Sequence, residues 1–178
     1  MKNFIDNLRI RATDGYLRKI ILPESRDDRI IEAAKILAGK TGSEKIATPV
    51  FICSAEDTPK VKALGFDFIE IEEKRANTLA KLLLELRSSK VGTKDELTPE
   101  MARRLARDPL MYSMYLLREG EGDGLVAGAT YKSADVLRAS LWLIEKAEGI
   151  KTVSSSFYMI VPAFRNGDKE EVLTFSDC

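Results

Sequence analysis

Residues 124–140, GLVAGATYKSADVLRAS, pass from an apolar run into a helical pattern through a turn of small and polar residues. Gly128 and Ala129 leave room for close approach to backbone. Ser133 is of the type that caps a helix N-terminus, and Asp135 falls in the first turn that follows. Free N–H groups and the positive end of the helix dipole favour an anion at such a start. Lys132 adds positive charge beside them, and Arg138 lies about one helical turn further on. The set could hold a phosphate or a carboxylate. It could equally close a tight strand-to-helix packing, with Ser133 a simple cap and Arg138 a solvated side chain. A second cation, Arg87, follows Ala76, Ala80 and Leu83 along one helical ridge, which could carry it to a cleft edge. A basic residue near a helix C-terminus also complements the dipole, so spacing leaves both readings open.

What else could do chemistry is limited. There is no histidine, which removes the commonest general base and metal ligand, and proton transfer falls to Asp, Glu, Lys, Cys or Tyr. Cys53 and Cys178 have neither metal spacing nor a disulfide framework. A cysteine that ends an apolar strand, as Cys178 does, reads first as a small packed hydrophobe. Gly120, Gly122 and Gly124 precede a strand instead of following one, so they make no dinucleotide fingerprint. Lysine plus arginine equals aspartate plus glutamate at 28 each, which gives no bulk pull toward nucleic acid or an anionic membrane. No apolar run reaches the ~18 residues that span a bilayer, and the amphipathic N-terminus lacks the apolar core of a signal peptide. The expectation is a cytoplasmic protein with no nucleic-acid or membrane partner and no metal.

The elements that would position these residues follow from periodicity. Strands are expected over 18–23, 48–54, 66–72 and 124–130. Helices are expected over 28–40, with Gly42 the stop, and from Thr58, with Thr58 the N-cap and Pro59 first in the helix. Further helices are expected over 73–90, with a stripe of Leu79, Leu82, Leu83 and Leu86, then from Thr98 with a break or kink at Pro109, and from Ser133 to about Lys146. Strands over 152–164 and 170–178 are joined by a segment whose Asn-Gly pair signals a hairpin. Strands alternating with helices imply a doubly wound, mostly parallel α/β sheet flanked by helices, with a C-terminal β-hairpin. The final FSDC closes what reads as a core strand, where a domain would be expected to end in polar, dispensable residues.

Several segments, taken together, carry a family resemblance. ILPESRDDRIIEAA, LLLELRSSKVGT, DGLVAGATYKSADVLRAS and VLTFSDC resemble, in order, four segments of the phosphate acetyltransferase (phosphotransacetylase) family, which includes phosphate butyryltransferases. The resemblance implies that residues 1–178 are the N-terminal α/β domain of a longer, two-domain, homodimeric enzyme with its active site in the cleft between the domains. The reaction implied moves an acetyl group between coenzyme A and phosphate, with acetyl-CoA, acetyl phosphate and inorganic phosphate as partners. Coenzyme A is then a substrate, and no cofactor or metal is expected.

By the same resemblance Arg87 and Arg138 hold the anionic substrates, chiefly coenzyme A. Ser133 and Asp135, with Lys132 beside them, form the polar turn next to the phosphate. The family's catalytic aspartate and its serine–arginine phosphate pair belong to a second domain, expected after Cys178, so this chain alone is expected to be inactive. The chain departs from the family pattern at Ser25, where glycine is usual, at Tyr131, where histidine is usual, and at Ala139, where proline is usual. Two alternatives stay in view: a phosphate butyryltransferase, a close variant within the same family, and, supported by those departures, a non-catalytic module that binds coenzyme A or another anion.

Overall fold

The structure, a computed structural model, describes residues 3–90, 92, 96–163 and 170–176. In chain order the elements are α1 (Phe4–Thr13), β1 (Lys19–Leu22), α2 (Asp28–Leu37), β2 (Thr48–Cys53), α3 (Thr58–Ala63), β3 (Asp67–Glu70) and α4 (Glu73–Leu86). They continue as α5 (Pro99–Leu105), α6 (Pro109–Arg118), β4 (Gly124–Leu125), α7 (Ser133–Leu143), β5 (Ser156–Val161) and β6 (Glu171–Ser176). The chain divides into two compact units, Thr13–Glu145 and Met1–Ala12 with Lys146–Cys178.

In the larger unit four parallel strands lie in the order β3-β2-β1-β4. This is the order of a doubly wound half-sheet, whose switch point falls between β1 and β4. Burial explains why β1 and β2 are nearly continuous apolar runs. Ile21 and Ile52 face a core built with Leu79 and Leu83 of α4, Ala102 of α5, Tyr112 of α6 and Leu143 of α7. Their neighbours Leu22, Phe51 and Cys53 face the opposite core, with Ile31 and Ala34 of α2 and Val61 of α3. A strand covered on both faces cannot alternate with polar residues. The expected parallel sheet, with helices on both faces, is therefore present.

Local chemistry sets where the helices begin and end, and several expected boundaries move. Asp27 caps α2 by accepting the Arg29 backbone N–H. The helix stops at Leu37, short of Lys40, and the stop glycine is Gly39, not Gly42. Gly39 has φ 72° and donates to Ile36 O, while Lys40 N–H reaches back to Lys35 O. That pair of bonds closes the orphan carbonyls of the last turn, and a left-handed residue is what permits it. In α3 the cap is Asp57, and Thr58 is already helical. Thr98 caps α5 as expected, accepting the Met101 N–H at 3.2 Å. Pro109 ends one helix and starts another, because Asp108 accepts the N–H groups of Leu110 and Met111.

The smaller unit contains the antiparallel pair β5–β6, in register from Ser156↔Ser176 to Val161↔Glu171. β5 starts at Ser156, later than Thr152, and β6 is described to Ser176. The Asn-Gly hairpin signal, Asp177 and Cys178 lie outside the described residues. The ring of Phe4 on α1 lies 6.0 Å from that of Tyr158. Among the described residues no helix is long and apolar enough to cross a membrane.

Candidate functional site

The loop after β1 and the turn after β4 meet at the sheet's switch point. There the carboxylate of Glu24, only 5% exposed, accepts four successive backbone N–H groups. They come from Gly128 at 3.1 Å, Ala129 at 3.1 Å, Thr130 at 2.5 Å and Tyr131 at 3.0 Å. The Thr130 hydroxyl adds a fifth donor at 2.8 Å. Arg29 grips the same turn from outside, donating to Ala129 O at 2.8 Å while paired with Asp27 at 2.6 Å. Burial pushes the Glu24 carboxyl up, but the bonds from Thr130, Tyr131 and Ala129 outweigh it and leave the group below its ordinary range.

Successive amides converging on one point form an anion-binding concavity. The expectation that a bound phosphate rests against this backbone needs correction, because the chain supplies its own anion. The same bonds explain why β4 is two residues long and not the seven of 124–130. Val126 N–H still reaches Ile21 O at 3.1 Å, and from Gly128 onward the backbone donors turn toward Glu24 instead of continuing a ladder.

The expected site residues separate into two groups. Lys132 is the N-cap position of α7 and Ser133 its first helical residue, so Ser133 is not the cap. Both are exposed. Arg87, Asp135 and Arg138 instead line one cavity of about 700 Å³ together with Arg104, Asp108, Tyr131 and Trp142. The rest of the lining is Glu96, which accepts the Gly92 N–H at 2.8 Å, and an apolar wall of Leu97, Met101, Leu105, Leu110 and Met111.

The charges in this cavity are not equally committed. Arg138 is paired with Asp135 at 2.9 Å. Asp108 spends one oxygen capping α6 and accepts the Tyr131 hydroxyl on the other at 3.1 Å. Burial, then the Asp108 charge, pushes the Tyr131 hydroxyl well above its ordinary range, so it stays a neutral donor. Arg87 occupies the position that closes α4, its backbone N–H donating to Leu83 O at 3.1 Å. Its guanidinium carbon lies 4.7 Å from the centroid of the Trp142 ring, and its Nε is buried without a hydrogen-bond partner. Arg87 and Arg104 make no ion pair among the described residues. The cavity thus offers two guanidinium groups with no ion pair among the described residues, beside an apolar wall, a lining that suits an amphipathic anion.

A second cavity of about 340 Å³ lies at the carboxyl ends of the strands and shares Tyr131 with the first. Its cations are already matched: Arg26 pairs with Asp57 at 2.7 Å and Arg107 with Glu73 at 2.5 Å. That leaves the larger cavity as the better receptor for negative charge.

Cys53 is fully buried beside Ser25, and burial pushes its thiol up to about 11. It is a packed hydrophobe and no nucleophile at neutral pH. Among the described residues no cluster of three or more Cys, Asp or Glu is arranged to hold a metal.

Sequence reading did not single out Glu24, Arg104, Asp108 or Trp142 as site residues. Two carried a local signal: Asp108 precedes a proline as N-caps do, and Trp142 lies one helical turn beyond Arg138. Glu24 falls within ILPESRDDRIIEAA, but nothing local showed what its carboxylate meets, since that partner is 104 positions away.

Comparison with known proteins identifies the family and the fold. The model of the family described as phosphate acetyl/butaryl transferase matches residues 3–178. The phosphate acetyltransferase of Acetivibrio thermocellus is 34% identical over 99% of this chain and 51% of its own length. That of Thermoanaerobacterium thermosaccharolyticum is 32% identical over 95% of this chain and 50% of its own. The crystal structure of a phosphotransacetylase from Streptococcus pyogenes superposes with a TM-score of 0.70 at 25% identity, covering 94% of this chain and 49% of that one. The chain spans about half the length of these relatives.

Proposed function

The chain belongs to the phosphate acetyl/butaryl transferase family, and we propose on that ground that it carries the coenzyme A-binding part of a phosphate acetyltransferase. The observation that carries this reading is the 700 Å³ cavity, which sets Arg87 and Arg138 beside an apolar wall. Coenzyme A has anionic phosphates and a long less polar arm, and such a ligand needs both kinds of surface. In the reaction its thiol loses a proton and the thiolate attacks the carbonyl carbon of acetyl phosphate. The new C–S bond forms, the C–O bond breaks, and inorganic phosphate leaves with the electron pair; the reverse direction makes acetyl phosphate.

The role of this chain is to bind and orient. Arg87, Arg104 and Arg138 attract the phosphates, and Asp135 holds Arg138 by an ion pair at the cavity wall. We assign no base here, because Asp108 is engaged as a cap and with Tyr131, and Asp135 with Arg138. The base and the groups that receive phosphate belong, in this reading, to the remainder of the family's length. The whole enzyme is a cytoplasmic homodimer that uses no metal or cofactor.

Calorimetric titration of the chain with coenzyme A tests the assignment. Saturable binding is expected, with Arg87→Ala and Arg138→Ala each weakening it about tenfold, the size of one lost charge-assisted bond. Unchanged affinity in both variants would remove the site.

A further inference from the structure

Arg87 and Arg138 share a cavity but are held in physically different ways. The Arg138 guanidinium is paired with the Asp135 carboxylate at 2.9 Å, which partly offsets its field. Arg87 makes no hydrogen bond or ion pair through its side chain among the described residues, and its Nε is buried without a partner. What lies against it is the indole face of Trp142, 4.7 Å from the guanidinium carbon. An aromatic face attracts a cation through its quadrupole but supplies no formal negative charge. The field of a guanidinium held this way is not offset by a neighbouring anion, whereas that of one paired with a carboxylate is.

The fold makes the contact possible by joining two elements. Arg87 closes α4, so its Cα is fixed at the end of a buried helix. Trp142 lies on α7 four residues after Arg138, on the same helical face. One helix therefore presents both its own arginine and a platform for the arginine of another. The indole is itself anchored, packed against the core that contains Leu83 and Leu143.

We propose that Trp142 is a positioning residue: its indole face holds the Arg87 guanidinium in the cavity without neutralising it, so that Arg87 can take an anionic phosphate group of the ligand. This rests on the reading of the cavity as the coenzyme A site.

Trp142 is the sole tryptophan of the chain, so its emission reports this contact directly. The chain is titrated with coenzyme A and followed by both calorimetry and tryptophan emission. The expected result is a saturable emission change with the same Kd as the heat. Trp142→Phe, which keeps an aromatic face, is expected to bind within about threefold of the parent, and Trp142→Leu about tenfold more weakly. Arg87→Ala is expected to cost less in the Trp142→Leu background than in the parent, because the two residues act as a unit. A purely structural tryptophan would give independent losses and no rescue by phenylalanine.

Three results overturn the positioning role while leaving the site intact: unchanged affinity in Trp142→Leu, losses that combine independently, or constant emission during calorimetric binding. If Trp142→Leu does not fold, the emission change and Trp142→Phe decide the matter, since neither needs that variant. Absence of heat with the parent chain overturns the coenzyme A reading and the positioning role together.

Discussion

Glu24 and Thr130 are joined twice, the Thr130 backbone N–H reaching one carboxylate oxygen at 2.5 Å and its hydroxyl reaching the same oxygen at 2.8 Å. Together with the N–H groups of Gly128, Ala129 and Tyr131, these bonds tie the loop after β1 to the turn that leads into α7. That turn carries Tyr131 to Asp108 and sets the start of the helix bearing Asp135, Arg138 and Trp142.

Removing the carboxylate should therefore be costly. Glu24→Ala leaves several N–H groups without an acceptor, each worth about 1–3 kcal/mol when buried. Part of the turn is open to water, so a total loss of about 3 kcal/mol is expected. Urea unfolding measures it, and a change below about 0.5 kcal/mol would show that the turn holds its shape without Glu24.

The same contact gives a pH dependence with a defined sign. Glu24 in the folded chain lies below its ordinary value of 4.5. Asp27, bonded to Arg29, lies at about 2. A carboxyl with a lowered folded pKa stabilises the fold above its unfolded pKa, and that stability is lost as pH falls through the folded value. Stability should accordingly be flat from neutral pH to about 5 and decline toward pH 2, with a smaller decline in Glu24→Gln. A series of thermal melts across that range checks the slope.

Cys53 should resist alkylation. Its thiol is fully buried and pushed up to about 11, so the thiolate is scarce even at pH 8. Iodoacetamide treatment of the folded chain, followed by peptide mass mapping, is expected to leave Cys53 unmodified until urea is added. Rapid labelling without denaturant would contradict the packing described for the end of β2.

Arg104 lines the cavity from the last turn of α5 and has no ion pair among the described residues. Its replacement by alanine should weaken coenzyme A binding about threefold to tenfold, as expected for a partly exposed charge-assisted contact. The unfolding midpoint should stay where it is, because the side chain is exposed. Equal affinity would remove Arg104 from the site and leave the other arginines untouched.

Most of the fold was legible in the sequence because the signals are local. The Val50–Cys53 run can be buried on both faces only in a covered strand, and Leu79 and Leu83 recur at a spacing that only a helix brings to one side. Thr98 and Pro109 mark helix starts through bonds made within a few residues. Where two local signals competed the reading slipped, as at Gly39 and Gly42, which both adopt positive φ although only Gly39 ends the helix.

The site was legible only in part. Arg87 and Arg138 came from family resemblance, since spacing alone left each with a bland explanation. Apolar periodicity determines which strands and helices form, because burial rewards area without regard to partner. Hydrogen bonds and cation–π contacts are directional and need their partners in place first. The seating of Glu24 against residues 128–131, the shortening of β4 and the meeting of Arg87 with Trp142 were therefore decided only when the sheet and its helices had brought distant segments together.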